Sequence, residues 1–387
     1  EDENDSPRGR IVLMPALLEG RLEPENDSIE THIGQCLGCC ACETACPSGV
    51  PYGKLLEATR ETLAQHRPIP AVARVILWVF ERRWLLRLAM AAGRVTRATG
   101  IARLFSGLPG RPGFAMAMLS STRRAAPAAR PEPRATNTGA PVALLTGCVM
   151  EGLFAETNRA TERVLAINGY GMRNAPAQVC CGALHVHAGD ANAARRLART
   201  NIAAFENANA DYICVNAAGC GAMMKEYPHL LADDPEWAER AVAIAGKVRD
   251  VSELLAAAGP VRGGPLHARV CYDAPCHLMH AQRITGPPLD VLHAIPELEL
   301  VPLNESDVCC GSAGIYNLVE PHVSDVVLAR KLENIASASP DMVATGNPGC
   351  LMQIGAGLLR AGSATRAVHP VELLDASYAR RDSAPPR

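Results

Sequence analysis

The stretches QVCCGA (residues 178–183) and DVCCGS (307–312) each set two adjacent cysteines before a glycine, and each sits inside a longer pattern that occurs twice. PVALLTGC (141–148) precedes the first and DYICVNAAGC (211–220) follows it. ARVCYDAPC (268–276) precedes the second and DMVATGNPGC (341–350) follows it. Cys148 and Cys276 are 128 residues apart, Cys180 and Cys309 129, Cys181 and Cys310 129, and Cys220 and Cys350 130. Chance does not keep four cysteines and two CCG triplets in step so closely, and the pattern implies two copies of one structural unit.

Within each copy, short apolar runs rich in Val, Ile and Ala end in a Gly- or Pro-containing turn that bears a cysteine. Helical patterns such as AETNRATERVLAING (155–169) and ANAARRLARTNIAAFENA (191–208) follow. This is the β-α alternation of an α/β fold. Parallel strands would place the turns at their carboxyl ends, where open α/β sheets hold ligands. Cys148, Cys180, Cys181 and Cys220 are then expected at one site, and Cys276, Cys309, Cys310 and Cys350 at a second. Two adjacent cysteines cannot both address one small ion without a special turn, for which the following glycine supplies the backbone freedom. A large cluster accepts both thiolates. The competing reading, that these cysteines are small buried hydrophobes, does not require the same spacing twice. Cys214 and Cys271 lie inside apolar strand-like runs without a counterpart in the other copy, and read as core thiols.

Nearer the start, QCLGCCACETACP (35–47) spaces Cys36, Cys39, Cys42 and Cys46 as C-x2-C-x2-C-x3-C followed by proline. Bacterial ferredoxins hold iron-sulfur clusters with this run, and its fourth cysteine ligates a different cluster from the first three. Structural zinc is the alternative, although zinc sites usually pair C-x2-C knuckles that lie far apart. Cys40 is out of register and reads as a spare thiol, able to replace Cys39 after a small loop adjustment. His185, His187, His277 and His280 flank the cysteines, and supporting or packing roles are expected of them before ligation. The same holds for Lys225, Asp190 and Asp273.

A chain of 387 residues with 48% hydrophobic and 20% charged residues has ample material for two or three packed domains. Its formal charge of −2 argues against a general nucleic-acid binder. Fifteen cysteines in tight motifs, in a chain too large to need disulfide staples, point to metal binding in a reducing compartment. Residues 58–119 read as helical, and 120–141, rich in Pro, Ala, Arg and Thr, as a linker. AVARVILWVFERRWLLRLAMAAG (71–93) is broken by Arg74, Glu81, Arg82, Arg83 and Arg87, so it is too interrupted to span a bilayer. It reads as an amphipathic helix packed on the protein or a partner, with a membrane surface as the second choice. No G-x-G-x-x-G after a strand, P-loop or G-x-S-x-G elbow is present. A flavin or nicotinamide would therefore have to sit on another polypeptide.

Taken together, NDSPRGRI, CLGCCACETACPSGVPYGKLLE, GCVMEGLFAETN, YDAPCHLMHAQ, CCGSAGIYNL and the two CCG copies resemble the glycolate oxidase iron-sulfur subunit family over nearly the whole chain. Related families with a duplicated CCG domain serve lactate utilisation, anaerobic glycerol-3-phosphate dehydrogenase and heterodisulfide reductase. The resemblance implies a fold class of α/β and α, in which a partial ferredoxin-type helical cluster domain (1–57) and a helical segment (58–119) precede the linker. Two pseudo-equivalent α/β CCG domains, 142–260 and 261–387, complete it. It also implies 4Fe-4S clusters on the twelve motif cysteines, FAD on flavoprotein partner subunits, a quinone or other electron acceptor, and no catalytic residue on this chain. The implied location is cytoplasmic, with peripheral attachment to the inner face of the cell membrane open to it. In the family a first C-x2-C-x2-C-x3-C-P motif comes shortly before the segment that opens this sequence. Cys36, Cys39 and Cys42 are then expected to lack their fourth ligand, and Cys46 its cluster, unless the loop closes one cluster locally. Many family members also carry C-x2-C where Ala217 and Asn347 precede Cys220 and Cys350, so four thiolates are expected per copy, enough for a cubane.

Overall fold

A computed structural model describes residues 2–122 and 139–382. Most of the expected linker lies outside the described residues.

Two four-stranded sheets share one plan. Strands β1 (Pro141–Leu144), β2 (Gly171–Arg173), β3 (Tyr212–Val215) and β4 (Val248–Asp250) run in the order β2-β1-β3-β4. Strands β5 (Ala268–Tyr272), β6 (Leu298–Val301), β7 (Met342–Ala344) and β8 (Arg366–Val368) run β6-β5-β7-β8. Every pairing is parallel, with Val142 opposite Tyr212 and Val270 opposite Met342. Parallel sheets are covered on both faces, which is why the central strands read as nearly unbroken apolar runs. The α/β expectation is met, and the repeated cysteine spacing is explained by the repeated strand order.

The pleat sorts these residues into two cores. Val142, Leu144 and Cys214 face a core that also receives Val270, Tyr272, Met342 and Ala344 from the other sheet. Ala143, Ile213 and Val215 face the opposite way. The shared core is filled by four helices, Ala155–Ile167 and Val251–Ala258 from the first copy, Gly286–His293 and Pro370–Asp382 from the second. Ala155–Ile167 packs on Pro370–Asp382, and Gly286–His293 on Val251–Ala258. These are the same contact made twice, because each pair joins the helix that follows the first strand of one copy to the helix that follows the last strand of the other. Arg163 forks onto Asp375 at 3.0 and 2.8 Å across this layer, and Asn168 donates to the Tyr378 hydroxyl at 3.0 Å.

Asp250 ends β4 and caps the helix that follows. Its carboxylate accepts from Ser252 N at 2.9 Å and Ser252 Oγ at 2.6 Å, and Glu253 reaches back to Asp250 N at 2.8 Å, completing a capping box. Burial pushes its carboxyl from the ordinary 3.8 to about 6, against the Ser252 bonds that lower it. Because the folded value is raised, the folded state binds more protons than the unfolded one between these limits, so this group's contribution to stability falls as pH rises through the window. Asn caps as well as Asp. Urea unfolding of Asp250→Asn is expected to lack this fall, with wild type losing on the order of 2 kcal/mol relative to it between about pH 4 and pH 7. Parallel stability curves for the two proteins would contradict the raised value.

Residues 52–121 form helices Tyr52–His66, Ala71–Glu81, Arg83–Ala98, Ile101–Phe105 and Gly110–Ser121. Where one amphipathic helix was expected over 71–93, the structure has two. Arg82 is extended (φ −105°, ψ 102°), and its guanidinium donates to Trp78 O at 3.1 Å, satisfying a carbonyl at the end of the first helix. A smaller core, Met14, Leu17, Ile29, Ile33, Tyr52 and Leu56, closes around Cys36.

Candidate metal centres

In the first copy Cys148 follows β1, Cys180 and Cys181 follow β2, and Cys220 lies in helix Ala218–Lys225 after β3. Three strand ends therefore deliver four thiols. They meet in series, Cys148 beside Cys180, Cys180 beside Cys181, and Cys181 beside Cys220. The second copy repeats the series as Cys276, Cys309, Cys310 and Cys350. The glycine after each pair is in the left-handed region, Gly182 at φ +93° and Gly311 at φ +87°, as the sequence reading requires.

Buried polar side chains hold these turns. Asn201 donates to Cys180 O at 3.0 Å and accepts from Val179 N at 2.8 Å, and Tyr227 donates to Cys181 O at 2.9 Å. In the second copy Ser324 donates to Gly311 O at 2.9 Å and receives from Gln353 at 2.9 Å. Sequence reasoning missed all four. The signal available was a polar residue on the apolar face of a helix, as Asn201 is in Ala191–Asn207. Gly311 N and Asn347 Nδ2 donate to Cys309 and Cys350 Sγ, each at 3.4 Å, and His277 Nδ1 lies 3.4 Å from Cys276 Sγ.

Contact with Cys180 and burial push the Cys148 thiol up. Contact with Cys309 and burial do the same to Cys276, and Cys310 is raised by Cys309, Cys350 and burial. Cys309 is held down by accepting from Cys276 and Cys310. Cys148, Cys276 and Cys310 hold protons that metal binding would displace.

The N-terminal loop is arranged differently. Cys36 Sγ accepts from Tyr52 OH at 3.5 Å and Gly38 N at 3.4 Å, while Arg60 clamps the chain by donating to Cys36 O at 2.6 Å and Ile33 O at 3.3 Å. Burial pushes the Cys39 and Cys42 thiols up, and nearby Cys36 adds to both. Cys46 stands apart, its thiol held down by the backbone amides of Val50, Ser48 and Gly49. Cys39 is also close enough to Cys309 and Cys276 for their charges to interact. Thr44 Oγ1 lies 2.8 Å from His280 Nδ1, and Tyr316 donates to Gln35 O at 2.8 Å, so this loop docks on the second copy. Cys40, at φ +59°, turns instead to a small cavity of about 80 Å³ shared with Glu43, Lys54, His187 and His277.

The flanking residues bridge segments. His185 Nε2 meets Leu77 O at 3.1 Å, His280 Nε2 meets Asp307 O at 3.2 Å, and the His187 and His277 rings stand 5.3 Å apart. Asp190 caps helix Ala191–Asn207, and Lys225 pairs with Glu253 at 3.4 Å. Asp273 pairs with Lys331 at 2.9 Å. Cys214 and Cys271 are fully buried.

Among the described residues, no three or more His, Cys, Asp or Glu side chains are placed to hold a metal ion. The thiols of each copy touch one another instead. The donor set nevertheless fits a thiolate-ligated cluster, with four cysteines, three of them on separate strand ends and N–H groups aimed at sulfur.

A family model described as Cysteine-rich domain, CCG, matches residues 142–225 and 270–355, one match on each sheet. The chain is 37% identical to the probable glycolate oxidase iron-sulfur subunit of Bacillus subtilis (strain 168), over 96% of this chain and 88% of that protein. It is 33% identical to the glycolate oxidase iron-sulfur subunit of Escherichia coli (strain K12), covering 90% and 83%. Lactate utilization protein A of Geobacillus kaustophilus is 32% identical over 61% of this chain and 98% of that protein. With the duplicated cysteine turns matched twice and the similarity running almost end to end, the chain belongs to the glycolate oxidase iron-sulfur subunit family.

Proposed function

We propose that this chain is the iron-sulfur electron-transfer subunit of a glycolate dehydrogenase complex. A flavoprotein partner carrying FAD oxidises glycolate to glyoxylate, releasing two electrons and two protons. This chain conducts the electrons toward a quinone-type acceptor. The observation that carries the reading is the same series of four thiols formed twice at parallel strand ends. Clusters of the 4Fe-4S type, when bound there, supply one-electron steps. Cys148, Cys180, Cys181 and Cys220 would hold one, and Cys276, Cys309, Cys310 and Cys350 another.

Cys36, Cys39 and Cys42 form the ferredoxin-type face, and the separate placement of Cys46 supports its assignment to a different cluster. The approach of Cys39 to Cys309 favours electron exchange between that face and the second copy. The similarity to lactate utilization protein A favours a second reading, in which the same conductor serves a lactate-oxidising partner.

Iron and acid-labile sulfide on protein purified without oxygen test the proposal. About eight of each are expected from the two repeated sites, and Cys181→Ser or Cys310→Ser should each lose about four. Unchanged content in both variants, or near-zero iron with stoichiometric zinc, would overturn it. Assay of the reconstituted complex on glycolate and lactate separates the two substrate readings.

A further inference from the structure

Sixteen large apolar side chains stand exposed among the described residues, and ten of them lie between Val72 and Leu108. Helix Arg83–Ala98 has no buried residue. One of its faces is engaged, with Arg94 donating to Gly152 O at 3.0 Å, Arg97 to Leu153 O at 2.9 Å, and Met90 lying against Gly152. Trp84, Leu88 and Val95, each at least 61% exposed, fall within roughly 40° of one another on the helical wheel, about 120° or more from Met90 and Arg97. Ile101, Leu104 and Phe105 on helix Ile101–Phe105, and Leu108 in the turn that follows, are all exposed, Leu104 at 76%. Val72, Val75 and Trp78 add a third exposed stripe on the preceding helix.

The charge of this segment runs against that of the chain. Residues 71–111 contain eight arginines, no lysine and one acid, Glu81, in a protein of net charge −2. Glu81 is itself engaged by Arg196 at 2.7 Å. Arg74, Arg87 and Arg103 are exposed, and the Arg82 guanidinium stacks 4.7 Å from the Trp78 ring centroid. Tryptophan and leucine stripes bordered by arginine are the composition of helices that lie in a bilayer interface, and guanidinium groups match lipid phosphates. No helix among the described residues is long and apolar enough to cross a membrane.

We propose that residues 72–108 form a docking surface for an anionic lipid bilayer. Trp78, Trp84, Leu88, Leu104 and Phe105 enter the headgroup boundary, and Arg74, Arg87 and Arg103 meet the phosphates. The inference rests on exposure and charge, so it and the electron-transfer reading can fail separately.

The test is co-sedimentation of the full chain with phosphatidylcholine vesicles, with and without phosphatidylglycerol, together with tryptophan emission. Two of the three tryptophans lie in the surface, and the third, Trp237, packs under Arg240. Binding to the anionic vesicles alone, release by salt, a blue shift and quenching by brominated lipid are expected. Arg87→Gln with Arg103→Gln should weaken binding about twenty-five-fold, at about fivefold per arginine. Trp84→Glu with Leu104→Glu should abolish it, with the thermal midpoint unchanged because both sites are exposed. No binding by wild type, or equal binding to both kinds of vesicle, overturns the proposal. So does self-association that disappears in Trp84→Glu with Leu104→Glu while vesicles go unbound, since the face would then serve a second copy.

Discussion

Lys331→Met is expected to destabilise the protein by about 3–5 kcal/mol. Lys331 and Asp273 are 1% and 2% exposed at their side chains and stand 2.9 Å apart. Lys331 also donates to Glu305 O at 2.7 Å, and Thr345 donates to the Asp273 carboxylate at 3.1 Å. Removing the lysine leaves a carboxylate buried without its counter-charge, which is the costly half of a buried pair. Burial pushes the Asp273 carboxyl up, with Lys331 opposing it. In the variant the folded state holds its proton to higher pH than the unfolded chain does, so the loss grows as pH rises and shrinks in acid. Urea unfolding of Lys331→Met, Asp273→Asn and the double variant measures this. The double variant should recover most of the loss. If it is no more stable than Lys331→Met, an uncompensated charge is not the cause.

A second large effect is expected at Gly311, out of proportion to its counterpart. Both CCG glycines have positive φ, so alanine at either should cost about 1–2 kcal/mol from backbone strain. At Gly182 the nearest atoms to an added Cβ lie 3.4 Å away on Ala194, an ordinary contact. At Gly311 the Ser324 carbonyl oxygen would stand 2.7 Å away. Backbone must shift there, adding about 1–3 kcal/mol. Unfolding free energies of Gly182→Ala and Gly311→Ala should therefore differ clearly. Equal values would mean that helix Pro321–Ala338 yields freely at Ser324.

The repeated cysteine spacing made the duplication legible, and with it the strand plan and the convergence of four thiols per copy. CCG made the left-handed turn legible, because two adjacent cysteines needed one. What sequence did not reveal is which face of each sheet meets the other copy. Cys214 and Cys271 both read as core thiols and both are buried, yet Cys214 faces the shared core and Cys271 the outer one. A period of two separates faces without saying what covers them. Lys331 went unmarked, since its partner is 58 positions away and nothing local signals the pairing. The docking of the N-terminal loop on the second copy was equally silent, resting on Tyr316 reaching Gln35 and Thr44 reaching His280. Asp273 was noticed for its place beside Cys276, whereas its structural weight comes from the lysine behind it.

The helical layer between the two sheets also constrains how the copies can diverge. Val164 and Leu165 on one side and Leu374 and Tyr378 on the other fill one volume. A change of size there must be answered in the facing copy, because close-packed interiors leave no slack. Ala198 and Ile202 lie outside this layer, in the cluster on the opposite sheet faces, and do not fill the volume shared with Leu374 and Tyr378. Positions in the layer are therefore expected to drift in pairs across the duplication, so that the two halves lose their likeness unevenly, most slowly where their helices face one another.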